Sequence, residues 1–306
     1  MIQIYYNGYD ITDSVSINRC YHDMYASGRT DTVNLQFADT SNLWDSWAPA
    51  VGDEIEVEYD TISTGAMFVS SVRPENGAFT IMAQAAPMSG FDKQNKAWQK
   101  VRLLQIGREI ADRNGLDFTS YGVEDRLYSY ILQEGEGDFR FLHRIAEREG
   151  CAILIYNKTL ILYDERYMEE IEPSEVLDLA VDGEYKFHDR HFNLYGSCTV
   201  ESGMYTGKYT ADNGSSRVYM AVNVGGIGSN AEAERYAKNL LRAANKGCYC
   251  GYIRSLIMPG YSAASMVELQ NTSTPSWNGP VFIDHIRNDY KNGQSKIFFR
   301  KPLEGY

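Results

Sequence analysis

Apolar and polar residues alternate in short runs through the first 87 residues. Gln3-Ile-Tyr-Tyr6 and Thr32–Phe37 alternate over much of their length and are broken by Asn-Gly and Asp-rich turns, a pattern that predicts strands. In Val51–Tyr59 the residues Ile55, Val57 and Tyr59 share one face while Glu54, Glu56 and Glu58 share the other. One face is expected in a core and the other in water.

From residue 88 to about 175 helical spacing takes over. Ala97, Val101, Leu104 and Ala111, with Leu103 and Ile110 beside them, predict a helix that stops near Asn114-Gly115. A second helix is expected to open at Asp138 as N-cap, bury Phe139, Leu142, Ile145 and Ala146, and stop at Gly150. Ala152–Tyr156 and Thr159–Tyr163 then predict a hairpin closed at Asn157-Lys158.

Strands return from Tyr185 to about Val224, followed by one helix. Ser229 and Glu232 have capping-box spacing, the apolar line runs through Ala233, Tyr236, Ala237, Leu240, Leu241 and Ala244, and Gly247 stands where a C-terminal cap is expected.

The chain also repeats itself. Gly65-Ala-Met-Phe-Val-Ser-Ser-Val-Arg73 matches Gly279-Pro-Val-Phe-Ile-Asp-His-Ile-Arg287 as Gly-x-x-Phe-(Val/Ile)-x-x-(Val/Ile)-Arg. Each copy has an alternating strand upstream, Glu54–Tyr59 or Ser265–Gln270. Each has a turn glycine downstream, Gly77 or Gly293, and then another strand, Phe79–Met82 or Lys296–Phe299. Three aligned strands point to a small β-domain carried twice, so that the chain presents nearly the same surface at two places. The plainer reading is a duplicated barrel with no functional meaning.

Composition narrows the function classes. A chain of 306 residues with 43% hydrophobic residues has room for two or three domains. The net charge of −12, spread without a basic patch, argues against holding nucleic acid by phosphate neutralisation and serves first for solubility. The first basic side chain is Arg19 and no apolar run approaches the roughly 20 residues of a membrane span, so synthesis and folding in the cytoplasm are expected. Cys20, Cys151, Cys198, Cys248 and Cys250 form an odd set without a CxxC pair, which fits reduced thiols. Cys248-Tyr-Cys250 with His188 and His191 gives only a weak metal signal, so no metal ligand is assigned.

No catalytic or cofactor-binding residue is assigned either. Glu147 and Glu149 do not share a helix face, nucleophile-elbow, zincin and P-loop patterns are missing, and Gly225-Gly-Ile-Gly228 does not complete a dinucleotide fingerprint. The 23 tyrosines suit amphipathic strands and also serve as interface anchors.

The block Gln133–Gly150, with Asp138, Phe139, Phe141, Leu142, Arg144, Glu149 and Gly150, and the hairpin after it, resembles the late control protein D family of phages. That family includes the central hubs of contractile-tail baseplates and is similar to the base of type VI secretion spikes. Met258–Ala264 departs from the family's usual lead-in to the next strand, which resembles Ala50-Val-Gly52. The resemblance implies a mainly β fold with an α+β middle. Two small β-barrel-like tube domains, 1–87 and 176–306 (the latter with helix 229–246), would flank a helix-hairpin domain at 88–175.

The role it implies is a homotrimeric symmetry adaptor without enzymatic activity or cofactor, placed between a hexameric tail tube and a trimeric spike. The implied partners are tube or tube-initiator, spike and other baseplate proteins, with a tape-measure protein as a further candidate, and neither specific nucleic acid nor membrane. Assembly in the bacterial host cytoplasm and residence in the baseplate of a virion or tail-like particle follow. In that setting Glu54, Glu56 and Glu58 are candidates to line a channel. The alternatives are a tail-associated cell-wall hydrolase, which needs carboxylates converging in a cleft, and a carbohydrate-binding module, for which Trp44, Trp47, Trp98 and Trp277 are candidate stacking platforms.

Overall fold

The alternating runs pair edge to edge into a 14-stranded sheet that draws strands from both ends of the chain. A computed structural model describes residues 1–178, 184–222 and 224–306; residues 179–183 and 223, within the expected 176–306 unit, lie outside the described residues. No helix among the described residues is long and apolar enough to cross a membrane.

The N-terminal part contributes β1 (Ile2–Tyr6), β2 (Tyr9–Asp10), β3 (Ser16–Tyr25), β4 (Thr32–Ala38), β5 (Glu54–Tyr59), β6 (Ile62–Ser63), β7 (Met67–Glu75) and β8 (Ala78–Gln84), with a short helix α1 (Leu43–Trp47). Alternate residues turn inward as the period of a strand requires: Val33, Leu35 and Phe37 from β4, Ile55 and Val57 from β5, Phe79 and Ile81 from β8. Trp44 plugs this core and stacks on Phe79 with ring centroids 5.3 Å apart.

The middle part contains β9 (Gln94–Arg102), α2 (Leu103–Arg113), β10 (Asp117–Tyr121), β11 (Leu127–Glu136), α3 (Asp138–Arg148), β12 (Cys151–Tyr156), β13 (Thr159–Asp164) and α4 (Glu165–Glu169). The expected hairpin is present, and Asn157 and Lys158 both have positive φ, as its two-residue turn demands. The first helix begins later than its apolar spacing predicts, because Ala97 and Val101 lie in β9, paired with β11. Ala97, the first residue of the expected stripe, is exposed on β9, while Trp98 and Val101 are buried on either side of Lys100, whose φ is 48°.

The C-terminal part adds β14 (Glu175–Asp178), β15 (Tyr185–Asp189), β16 (Ser197–Ser202), β17 (Tyr205–Thr210), β18 (Val218–Ala221), α5 (Asn230–Asn245), β19 (Tyr249–Leu256), β20 (Met266–Gln270), β21 (Gly279–Asp289) and β22 (Gln294–Arg300). Helix α5 packs against β16, β17 and β18 around its own apolar core. Its capping box is realised with one change: Ser229 accepts from the Glu232 N–H, while the Glu232 carboxylate accepts from the N–H of Gly228. Gly247 does not act as a left-handed cap; the helix ends at Asn245 with Lys246 still in helical conformation.

The repeat extends beyond the three strands legible in the sequence. The order β3-β4-β8-β7-β5 in one half corresponds to β15-β19-β22-β21-β20 in the other. The registers coincide as well: Val72 faces Ile81, which faces Leu35, which faces Cys20, just as Ile286 faces Ile297, which faces Ile253, which faces Tyr185. Both copies carry a β-bulge at the same motif position, between Val69 and Ser71 and between Ile283 and His285. This register sets Ile81 against Ile297, so Phe79 corresponds to Ser295 and not to Lys296.

The copies differ in what covers β5 and β20. Strand β1 runs antiparallel to β5, whereas β14 runs parallel to β20. The Met258–Ala264 segment serves that second arrangement, since the Tyr261 hydroxyl donates to the Val176 carbonyl of β14 at 2.6 Å.

Asp31, at the join between the first and middle parts, is buried and accepts from the Tyr25 N–H at 2.7 Å. Burial pushes its carboxyl up to about 7. Between the unfolded carboxyl range near pH 4 and pH 7 the folded state therefore holds a proton that the unfolded state has lost, and this group destabilises the fold progressively as pH rises. Asp31→Asn, whose side-chain carbonyl can still accept from Tyr25, is expected to gain stability over the parent at pH 8 and much less at pH 5. Thermal unfolding midpoints of both proteins across that range check it.

Candidate assembly surface

The two halves meet where β3 pairs antiparallel with β21, so that residues 21–25 face residues 285–289. Asp23 anchors the seam: its carboxylate accepts from His285 Nε2 at 2.7 Å and from Arg287 Nε and Nη2 at 2.8 and 3.1 Å. Burial raises its pKa, but the hydrogen bonds from His285 and Arg287 outweigh this and hold it below the usual carboxylate range. Aromatic rings continue the seam across the face of the sheet. Tyr25 stacks on His285 at 4.3 Å, His285 on Phe298 at 4.8 Å, and Lys296 Nζ lies 3.7 Å from the Tyr252 ring centre.

Side chains are exchanged across this line. Tyr290, from the second copy, sits in the first core, stacked on Tyr59 and bonded to His22 Nδ1 at 2.8 Å. Met24 of β3 packs against the second core in return. Backbone bonds from Ala26 N–H to the Asp284 carbonyl and from Tyr290 N–H to the Cys20 carbonyl frame the pairing.

Two strand edges of the same sheet are unfinished. Strand β7 pairs with β5 only around Met67 and Phe68, so from Ser71 to Glu75 it has β8 on one side and no strand on the other among the described residues. Ser71, Arg73, Pro74 and Glu75 are exposed there. At the far end, among the described residues, β15 pairs only with β19.

The block that carries the family resemblance holds the middle part together. Helix α3 starts at Asp138 with Gly137 as N-cap, so Asp138 is not the cap that its position suggests. It is 1% exposed and accepts from Arg113, Gln133 and Asn114 at 2.9, 2.9 and 3.0 Å, tying α2, β11 and α3 into one knot. Phe141 and Leu142 fill the core, Arg144 is paired with Glu136, and Glu149 accepts from Arg235 of α5 at 2.8 and 3.1 Å. Gly150 takes φ of 77° where the chain turns into β12.

A buried ionic network clamps the middle part to the second half. Glu169 of α4 meets Arg300 of β22 and Arg242 of α5 at 2.6 Å each, as charge contacts too oblique for aligned hydrogen bonds. Arg300 also reaches Asp284 at 3.2 Å, and Lys246 pairs with Glu165. Burial pushes the Glu169 pKa up, yet Arg300 and Arg242 more than offset this and keep it low. At Asp284 burial prevails and the pKa is raised.

Residues singled out for chemistry are dispersed. Cys20, Cys151, Cys198 and Cys248 are buried free thiols and Cys250 is half-buried. His188 faces Cys250 across β15 and β19, while His191 Nδ1 bonds the Tyr249 hydroxyl. No group of three or more His, Cys, Asp or Glu among the described residues is arranged to hold a metal. Glu54 pairs with Lys158 at 2.6 Å and Glu56 accepts from Ser63 at 2.6 Å, which turns that row towards the middle hairpin and β6. Trp44 and Trp98 are buried in different cores and form no stacking platform. Sequence reasoning missed Asp23 and His285, although His285 lies inside the repeated motif, two residues before its arginine.

The comparisons with known proteins come from structure alone. No family model and no curated protein matches the chain. Among solved structures it is similar to the 43 kDa tail protein of prophage MuSo2 from Shewanella oneidensis, at 12% identity and TM-score 0.76, covering 98% of each chain. It is similar to a tail protein from Neisseria meningitidis MC58 at 14% identity and TM-score 0.77, covering 98% of this chain and 96% of that one. The Escherichia coli c3393 protein, a type VI secretion component, matches at 12% identity and TM-score 0.63 over 99% of this chain and 78% of its own. The mainly β fold is therefore the one found in phage tail proteins and in a type VI secretion component.

Replacing Glu169 by Gln takes from buried Arg242 its ion-pair carboxylate and leaves buried Arg300 with Asp284 alone, and breaking such a network by removing one partner costs about 3–5 kcal/mol. A urea unfolding series is expected to show that loss. An unchanged midpoint would mean that the network contributes nothing to stability.

Proposed function

We propose that the chain is a structural hub of a phage tail baseplate or a related injection particle, working as a trimer that joins a sixfold tube to a threefold spike without chemistry of its own. The observation that carries this reading is the five-strand unit present twice in the same register. Three chains around a threefold axis then offer six near-equivalent sheet segments to a sixfold partner, while the parts outside the repeat follow threefold symmetry and suit a threefold one. The likeness to tail proteins and to a type VI secretion component supports the setting.

Several features agree with a passive role. Glu149, one of the two carboxylates considered as an acid–base pair, is engaged by Arg235 and Tyr128, and the motif residue Asp138 is engaged by three donors. The seam and the ionic network are permanent clamps suited to a part that transmits force. The proposed partners are a tube or tube-initiator protein, a spike protein and neighbouring baseplate proteins, with a tape-measure protein as a further candidate. Assembly before release from the host cell belongs to the same proposal.

Light scattering of the purified chain, alone and after coexpression with a candidate spike protein, tests it. A mass of three chains in either sample is the expected result. A single-chain mass in both would overturn the hub reading.

A further inference from the structure

The seam inside one chain is a template for a contact between chains. Strand β21 is paired by β3 over residues 285–289, and β7 is the register-matched counterpart of β21, bulge included. Strand β15 is likewise the counterpart of β3, since it holds the same place beside β19 as β3 does beside β4. Yet among the described residues β7 lacks a partner over the stretch where β21 has β3, and β15 lacks a strand on the side where β3 meets β21. Within one chain these two edges lie towards opposite ends of the sheet path.

We infer that β15 of one copy pairs antiparallel with the free edge of β7 of the next, in the register of β3 with β21. This rests on the trimeric reading above and names the contact that closes it. Carrying the intrachain register over, Glu75 faces Lys186 and Arg73 faces His188, as Asp289 faces Tyr21 and Arg287 faces Asp23. Opposite charges therefore meet at Glu75 and Lys186, both on edge strands that are otherwise half finished. A head-to-tail contact of this kind uses one edge of each type per chain, so it closes into a ring when the rotation allows.

Pro74 fits this arrangement and sharpens it. Along β21 the bonds of Asp284 and Tyr290 point to β3, so by alternation Asn288, the counterpart of Pro74, has its N–H on the same side. At β7 the missing N–H thus lies on the open edge. It costs the interchain ladder one bond and makes the edge a poor template for chance strand addition. Productive pairing then depends on the neighbours of Pro74, where the charge pair lies.

The same alternation makes positions 73 and 75 non-hydrogen-bonded sites, where facing side chains come closest. The test is disulfide trapping in the full chain. In a Cys250→Ser background, which removes the free thiol facing position 188 within the same chain, Arg73→Cys with His188→Cys should link copies into a covalent trimer on a non-reducing gel. Arg73→Cys with Lys186→Cys, displaced by one diagonal, should not, because the reach is too long for a disulfide. Tyr21→Cys with Asp289→Cys, the counterpart within one chain of Lys186 facing Glu75 and likewise a non-hydrogen-bonded pair, calibrates the chemistry.

In parallel, Glu75→Lys is expected to weaken the trimer about fivefold at each junction, and adding Lys186→Glu should restore it. Light scattering of the reduced proteins separates the two ideas. A trimer with no link at position 73, or with linking only in the displaced pair, overturns this register and leaves the trimer standing. A protein that is monomeric under all conditions removes both.

Discussion

The pairing of β3 with β21, held by Asp23 between His285 and Arg287, is the constraint on which the rest depends. Without it the two strand groups would share no ladder; with it they form one sheet. Charge-assisted hydrogen bonds of this kind contribute about 1.5–3 kcal/mol each when shielded from water, and Arg287 is half exposed, so its share is smaller. The larger effect is geometric. Tyr290 can enter the first core only if β21 runs on past Asp23 in this register, and Met24 can reach the second core only if β3 does the same.

The ionic network around Glu169 imposes a second constraint of a different kind. Replacing such a network with apolar side chains is often neutral or stabilising, so its presence is better explained by specificity. Arg300, 1% exposed, needs carboxylates from α4 and from β21, and Arg242 brings α5 to the same point. Three segments far apart in sequence must therefore arrive together, which discriminates against alternative dockings of the middle part.

How far the sequence revealed this depends on whether a contact is local. The hairpin at Asn157-Lys158, the α5 capping box and the repeat were all legible, because each is written in neighbouring residues or in two matching strings. The helix expected from Ala97 starts only at Leu103, because Ala97 and Val101 share a helical spacing with Leu104 in sequence but lie in a strand paired with β11, where Ala97 is exposed. Asp138 was misread as a cap because its true partners, Arg113, Asn114 and Gln133, come from two other elements. The unfinished edges of β7 and β15 were invisible for the same reason: an unpaired edge is a property of the whole sheet and leaves no mark on either strand.

The equivalence of the two halves lives in register and bulge far more than in side chains. Leu35 answers to Ile253, but His22 answers to Phe187 and Asn34 to Tyr252. What is inherited twice is a main-chain pattern, and almost any pair of side chains of suitable polarity preserves it. Mutational drift is therefore cheap wherever the inward positions stay apolar, and a lineage of such chains can lose nearly all recognisable identity while its architecture persists. The 12% and 14% identities at TM-scores of 0.76 and 0.77 show the same freedom, one fold carried by very different side chains.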